Sequence, residues 1–365
     1  MMKIDNRLQK LRQSLAEKEI EAILISQPEN RYYLSGFDGS AGFLLVTPEK
    51  AVLATDFRYI EQAKRQTTEY EIFQISNDIA GWFPELVTGL KLKRLGFEAR
   101  HITFALYHKF SYVLEEMEYQ LGMLPLDSVV ESLRAIKEPE EIELIARAVE
   151  ISDSAFEHIE GKIAAGISEK EVAWEIEKFM REQGSQTIPF DIVVASGPNS
   201  ALPHAKPSSS TINSGEPVLL DIGANIEGYS SNLSRTICLG SPDDTFNKVY
   251  QAVLKAQSEA IAQIEENMTG EQADSLARTV IEQTGYGDAF GHGLGHGIGL
   301  APHETPRLGP NSTDELTSGM VFTIEPGIYL PGWGGVRIED TAMMENGKIR
   351  VFSQARKVGV KHDKW

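Results

Sequence analysis

The stretch Phe290-Gly-His-Gly-Leu-Gly-His-Gly-Ile-Gly-Leu-Ala-Pro-His-Glu-Thr-Pro-Arg307 most restricts what this chain can become. Three of its eight histidines, His292, His296 and His303, fall within twelve positions here, with five glycines threaded among them. Imidazoles ligate metals, carry protons and donate hydrogen bonds near neutral pH. Glycine lets backbone or ligand approach where a side chain would stand in the way. A glycine-rich segment that only packs has no use for the imidazoles, so the segment reads as functional. Familiar glycine and histidine signatures do not describe it. The glycines of 291–299 do not fit the G-x-G-x-x-G nucleotide pattern, and the chain has no P-loop. His303-Glu304 lacks the second histidine of a zinc-protease helix, and Pro302 and Pro306 disfavour a helix there. No G-x-S-x-G nucleophile turn is present.

Carboxylates placed in apolar strands supply the histidines' partners. Asp221 interrupts the run Pro217-Val-Leu-Leu-Asp-Ile222, where an unpaired charge would be costly to bury. If 225–228 forms a tight turn, Asp221 lies directly opposite Asn232, with Cβ atoms about 5 Å apart. The alternative is a turn-associated carboxylate bonded to backbone N–H groups. In Met320–Pro326, Phe322 and Ile324 face one way and Thr323 and Glu325 the other. In Gly335–Asp340, Val336 and Ile338 oppose Arg337 and Glu339. Each strand thus carries one glutamate on the polar face of an apolar ribbon. Taken with the histidines, these acids suggest a metal centre. Hard divalent ions prefer carboxylates, and one imidazole shifts the choice toward Mn, Co, Fe or Zn. Bridging carboxylates can hold two such ions roughly 3.5–4 Å apart and generate a hydroxide between them at neutral pH.

The chain has 365 residues, which predicts two domains rather than one core. A formal charge of −18 argues against nonspecific nucleic-acid binding. The lone cysteine, Cys238, excludes an internal disulfide and a cysteine-based zinc cluster and reads as a buried strand residue. Met1-Met-Lys-Ile-Asp-Asn-Arg-Leu8 lacks the apolar core of a signal peptide. No run approaches the roughly 18 apolar residues of a membrane span, so the expected location is the cytoplasm. Strands alternate with helices through residues 1–128 (helices over 5–18, 59–64 and 103–120), which predicts an α/β layer domain. Residues 124–137 show little periodicity. Beyond them, over 135–360, four amphipathic helices begin at Pro139, Ser168, Asp244 and Gly270. Strand-like runs at 191–196, 217–224, 229–239, 320–325 and 336–344 lie between them. The simplest arrangement is four helices on one strongly bent antiparallel sheet, with the runs joined through 221–232 and 325–339 as halves of a pseudosymmetric sheet.

Six ordered motifs now stand together: Asp221-Ile-Gly-Ala, Gly228-Tyr-Ser-Ser-x-x-Ser-Arg-Thr236, Gly291-His-Gly-Leu-Gly-His-Gly-Ile-Gly-Leu300, His303-Glu-Thr-Pro, Thr323-Ile-Glu-Pro-Gly and Val336-Arg-Ile-Glu-Asp. They resemble the proline-specific aminopeptidases and prolidases, family M24 of the pita-bread metallopeptidases. Asn30-Arg-Tyr-Tyr-Leu-Ser-Gly-Phe37 and Ala54-Thr-Asp-Phe-Arg-Tyr59 resemble the creatinase-type N-terminal domain of the same family. The resemblance implies an α/β (α+β) protein: a creatinase-like domain over 1–128 and a catalytic pita-bread domain over 135–360. It implies Asp221, His296, Glu325 and Glu339 as metal ligands, with Glu339 bridging two divalent ions, manganese first and cobalt or zinc as options. It further implies His204, in Ser200-Ala-Leu-Pro-His204, and His303 as catalytic histidines, Glu325 as proton carrier, and His292 and Arg337 as substrate-binding groups. Spacing alone would have left His204 a surface loop residue. The implied reaction is hydrolysis of an Xaa–Pro bond, in a dipeptide or at a peptide N-terminus, by a metal-bridging hydroxide. The implied assembly is a homodimer. One position departs from the family pattern: Asn232 stands where a second aspartate ligand is expected. An amide is neutral, which predicts weaker binding of one ion and impaired turnover. Two other readings follow: a catalytically degenerate relative that binds a peptide or partner, favoured by Asn232, and a metal-free creatinase-like hydrolase, disfavoured by the four retained ligands.

Overall fold

The short apolar runs of the first third of the chain become strands of one mixed sheet. In the computed structural model, which describes residues 4–76 and 78–361, one unit ends at Arg134 and a second begins at Ala135. Met1, Met2 and Lys3 of the amino-terminal segment lie outside the described residues. The first unit contains α1 (Ile4–Glu17), β1 (Ala22–Ile25), α2 (Pro28–Ser35), β2 (Phe43–Val46), β3 (Ala51–Asp56), α3 (Ile60–Gln66) and β4 (Glu71–Ile75). It continues through α4 (Ile79–Gly89), β5 (Arg94–Glu98), α5 (Phe104–Glu116), β6 (Gly122–Leu126) and α6 (Val129–Ala135). Sheet order is β4-β3-β2-β1-β5-β6. The pairs β1–β2 and β2–β3 are antiparallel; the other three are parallel. The helix expected over 103–120 stops at Glu116, and Glu118 then takes a left-handed backbone with φ of 53°. Residues 124–137, which lack periodicity, form the end of β6 and all of α6. Pro125 fits there because β6 is an edge strand, where a missing N–H costs no rung.

The second unit carries the four expected helices: α7 (Pro139–Lys162), α8 (Glu169–Glu182), α9 (Asp244–Gln263) and α10 (Gly270–Gln283). Pro139 occupies the first turn of α7, and Ser168 and Glu171 form the reciprocal cap of α8. The strands are β7 (Val193–Ser196), β8 (Pro217–Ile222), β9 (Asn225–Ile226), β10 (Tyr229–Ser230), β11 (Leu233–Leu239), β12 (Gly295–Gly297) and β13 (Glu304–Leu308). Then follow β14 (Val321–Ile324), β15 (Gly327–Leu330), β16 (Gly334–Arg337), β17 (Asp340–Glu345), β18 (Lys348–Val351) and β19 (Val360–Lys361). They do not make a single sheet. They divide into β19-β11-β8-β7, β13-β12-β14-β17-β18 and the two-stranded ribbons β9–β10 and β15–β16. All pairs in this unit are antiparallel except β11–β19.

The division has a specific cause. Two long hairpins, β8/β9 with β10/β11 and β14/β15 with β16/β17, each keep one register along their length. Each loses regular strand pairing midway, at 223–224 with 231–232 and at 325–326 with 338–339, where single bonds remain from Ser231 N to Ala224 O (3.0 Å) and from Ile338 N to Pro326 O (3.4 Å). At the second break, Glu339 donates its N–H to Ser234 O of the other hairpin (3.0 Å), and Glu325 donates to Leu294 O (2.7 Å). Thr236 Oγ1 accepts from Arg337 N (3.0 Å), and Thr341 Oγ1 donates to Asn232 O (2.8 Å). The backbone at these breaks is therefore satisfied partly across the hairpins and not only within them.

Register also corrects one expectation. Asp221 pairs with Ser234, not Asn232. The turn is Glu227-Gly228, with φ of 49° and 86°, two residues in the left-handed region as a tight hairpin turn requires. Its centre is one residue later than expected, so Asn232 is the diagonal neighbour of Asp221, on the same face.

Two cores support these strands. Phe156, Ile159, Val172, Ile176 and Met180 pack with Val218, Leu220 and Ile222. Val249, Val253, Ala256, Ala273 and Ala277 pack with Phe322, Ile324, Val336 and Ile338, the residues expected on the apolar faces. Cys238 is buried in β11. No helix among the described residues is long and apolar enough to cross a membrane.

The histidine-glycine stretch contains a strand, β12, lying between β13 and β14. A Cβ at Gly295 would come within 2.0 Å of Thr323 O, and one at Gly297 within 2.2 Å of Thr305 O. Gly295→Ala should therefore cost about 1–3 kcal/mol in denaturant unfolding, the scale of overpacking. Gly161→Ala, near the end of α7 where a Cβ meets nothing within 4 Å, should leave stability unchanged or raise it by up to about 1 kcal/mol.

Candidate metal centre

The breaks in the hairpins bring the acids together. Asn232, Glu325 and Glu339 all occupy positions where a rung is missing, and His296 is the central residue of β12. Ligand atoms of His296, Glu325 and Glu339 lie within 4.8 Å of one another. His296 Nδ1 lies 3.0 Å from Gly297 O, which can only accept, so the proton sits on Nδ1 and Nε2 is free. Burial lowers the His296 pKa and keeps the ring neutral. Its free Nε2 lies 3.3 Å from Glu325 Oε1, an acceptor facing an acceptor.

Glu325 also accepts from Thr323 Oγ1 (3.1 Å), and Glu339 Oε2 accepts from Ser234 Oγ (2.6 Å). Burial pushes Glu325 up to about 7 and Glu339 well above the usual carboxylate range, and each is raised further by neighbouring acids. Asp221 stands outside the three-residue cluster, and its Oδ2 accepts from Arg337 Nη2 (2.6 Å). Three buried oxygens at the site have no hydrogen-bond partner among the described residues: Asp221 Oδ1, Asn232 Oδ1 and Glu339 Oε1. Buried acceptors are rarely left so. Orphaned oxygens, mutually repelling carboxylates and an unprotonated imidazole nitrogen form a donor set that suits divalent cations.

Arg337 is the cation of this region. Its guanidinium, 2% exposed, donates to Asp221, to Ser234 Oγ (2.9 Å), to Pro203 O (3.1 Å) and to Tyr329 OH (2.8 Å). Tyr329 OH in turn lies 2.9 Å from His292 Nε2. Since His292 Nδ1 donates to Gly293 O (2.8 Å), Nε2 is the acceptor and the tyrosine hydroxyl donates to it. Burial holds His292 near 4 and raises the phenol to about 12, so both groups are neutral. The sequence reading missed Tyr329. The available signal was its period-two spacing from Glu325 and its place opposite Gly335 on the β15–β16 ribbon.

The other two histidines are on loops. His303 is exposed in the turn before β13, with its ring centroid 4.1 Å from that of His296. Partial burial and the imidazoles of His296 and His204 lower it to about 4. The same turn is held by Glu304, which accepts from Ala301 N (2.8 Å) and pairs with buried Lys137 (3.3 Å). His204 is exposed, as spacing alone suggested, but lies close enough to bear on His292, His303 and Glu325.

Comparison with known proteins agrees with both units. Residues 143–346 match metallopeptidase family M24, and residues 7–136 match the creatinase/prolidase N-terminal domain. An Xaa-Pro dipeptidase of Pyrococcus furiosus is 38% identical, over 96% of this chain and 99% of that protein. The solved structure of an Xaa-Pro dipeptidase from Bacillus anthracis superposes with a TM-score of 0.93 at 41% identity, covering 98% of this chain and 99% of that one. An X-Pro aminopeptidase from Thermotoga maritima gives a TM-score of 0.89 at 35% identity, covering 97% and 99%. With a creatinase-like unit before a pita-bread unit that gathers His296, Glu325 and Glu339, the chain belongs to metallopeptidase family M24.

Proposed function

We propose that this protein is a metal-dependent exopeptidase that hydrolyses the bond between a first residue and a following proline, with Xaa-Pro dipeptides as its first candidate substrates. The observation that carries this reading is the acceptor-only cluster of His296, Glu325 and Glu339, beside the orphaned oxygens of Asp221 and Asn232. His296, Glu325, Glu339 and Asp221 would hold two divalent ions, with Asn232 contributing its amide oxygen. A carboxylate-rich set with a single imidazole favours manganese, with cobalt or zinc able to substitute. When bound, such ions polarise the scissile carbonyl and lower the pKa of water.

The chain's own groups divide the remaining work. Glu325 takes a proton from the attacking water at its carboxylate and returns it to the proline nitrogen as the C–N bond breaks. His303 and His204 stabilise the charge that develops on the carbonyl oxygen. His292, kept neutral and aimed by Tyr329, binds the substrate. Arg337 fixes Asp221 and Tyr329 together and so sets the shape of that wall.

His296→Ala and Glu325→Gln should each lower turnover of Ala-Pro by about 10³-fold or more, while circular dichroism and melting temperature stay near wild type. Wild-type turnover in either variant would refute the assignment. A chelator should remove activity, and added manganese should restore it. An Asn232→Asp variant should bind more manganese per chain than wild type by elemental analysis after dialysis. Equal ratios in the two proteins would mean that the amide at 232 does not weaken ion binding.

A further inference from the structure

Glu169 begins α8 but does not cap it; Ser168 and Glu171 do that. Its side chain is instead fully buried and accepts hydrogen bonds from both ends of the loop that carries His204. Oε1 accepts from Ser196 N (2.7 Å), Ser196 Oγ (2.9 Å) and Asn199 Nδ2 (3.2 Å). Oε2 accepts from Ser208 N (2.9 Å) and Ser208 Oγ (2.6 Å). All of these donors are neutral, and no cation pairs with it in these bonds. Burying a carboxylate without a counter-ion is costly unless its lone pairs are filled, and here they are filled by the loop itself. Burial alone would raise its pKa, but the bonds from Ser208 and Ser196 outweigh that and hold it below the usual glutamate range.

The loop needs such a staple. Between residues 196 and 208 it has one short helical turn, Gly197–Ala201, and no strand. His204 is exposed, so packing does not fix it. Its neighbours are tied at two further points: Gly335 N donates to Ser200 Oγ (2.8 Å) and Arg337 donates to Pro203 O (3.1 Å). These bonds register the loop on the wall of the metal centre, while Glu169 joins its ends.

We propose that Glu169 is a positioning residue for the reaction, acting through His204 by clamping Ser196 to Ser208. The proposal rests on the role assigned above to His204. An amide cannot substitute for the carboxylate, because the –NH₂ group it brings would face donors at one end of the loop.

The test is a double-mutant cycle on the manganese-loaded enzyme with Ala-Pro as substrate, measuring kcat, KM and bound metal for E169Q, H204A and E169Q/H204A. H204A should lower kcat. E169Q should lower kcat by about tenfold or more with KM within about twofold, as for a displaced group that acts in the transition state. Its metal-to-protein ratio should match wild type, and the double variant should be no slower than H204A. Wild-type kcat in E169Q would overturn the proposal. So would an E169Q effect that persists undiminished in the H204A background, since Glu169 would then act elsewhere. Wild-type kcat in H204A would instead refute the role of His204, and this inference with it. Should E169Q fail to fold, S208A takes its place in the cycle. It removes one bond to the carboxylate, and the same outcomes decide.

Discussion

Glu339 is where the catalytic unit is joined. Its N–H leaves its own hairpin to reach Ser234 O, and its carboxylate accepts the Ser234 hydroxyl. One residue thus fastens two hairpins through both main chain and side chain, in a setting where its carboxyl group is fully buried. Other contacts between the hairpins follow the same line, among them Arg337 against Thr236, Thr341 against Asn232 and the buried Arg235 against Asp340 (2.8 Å). Interrupting the rungs at this line is what allows the acids to turn toward one another. A continuous sheet would keep Glu325 and Glu339 in regular rungs within one hairpin.

The electrostatics follow from that geometry. Several carboxylates share a buried space, and the Arg337 guanidinium among them is committed to Asp221 and Tyr329. Burial first, and then repulsion among the acids, raises the pKa of Glu325 and Glu339. The histidines beside them stay neutral because of burial, which also leaves Nε2 of His296 free to coordinate. Low dielectric and one-signed donors together make a cation the natural complement of the site.

Much of this was legible in the chain. Helix starts announce themselves through local chemistry, as at Pro139 and Ser168, and Phe322, Ile324, Val336 and Ile338 fall on the core face because strand periodicity is two. The slip in hairpin register shows both the strength and the limit of such reasoning. The Glu227-Gly228 turn moved the partner of Asp221 from Asn232 to Ser234, two positions along the strand. An even shift preserves the face, so Asn232 still lies on the side of Asp221. What stayed hidden depends on distant chain. β12 is two glycines around His296, a composition that disfavours strands, and it is a strand because β13 and β14 flank it closely. The split of the sheet depends on hydrogen bonds between residues about a hundred positions apart, such as Glu339 and Ser234. Tyr329 had only its period-two spacing from Glu325 to mark it, and Glu169 had no distinctive spacing, its partner Ser208 lying outside any local motif.

The amide at 232 has a consequence for the protein without its ions. An aspartate there would place another charge next to Asp221, Glu325 and Glu339, and the folded chain would have to carry that repulsion whenever cations were absent. Asparagine removes this burden from the ion-free state. Folding of this chain is thereby less burdened by repulsion than it would be with four acids in the cluster, so under the proposed ligand set the coordinating power given up and the independence gained come from the same side chain.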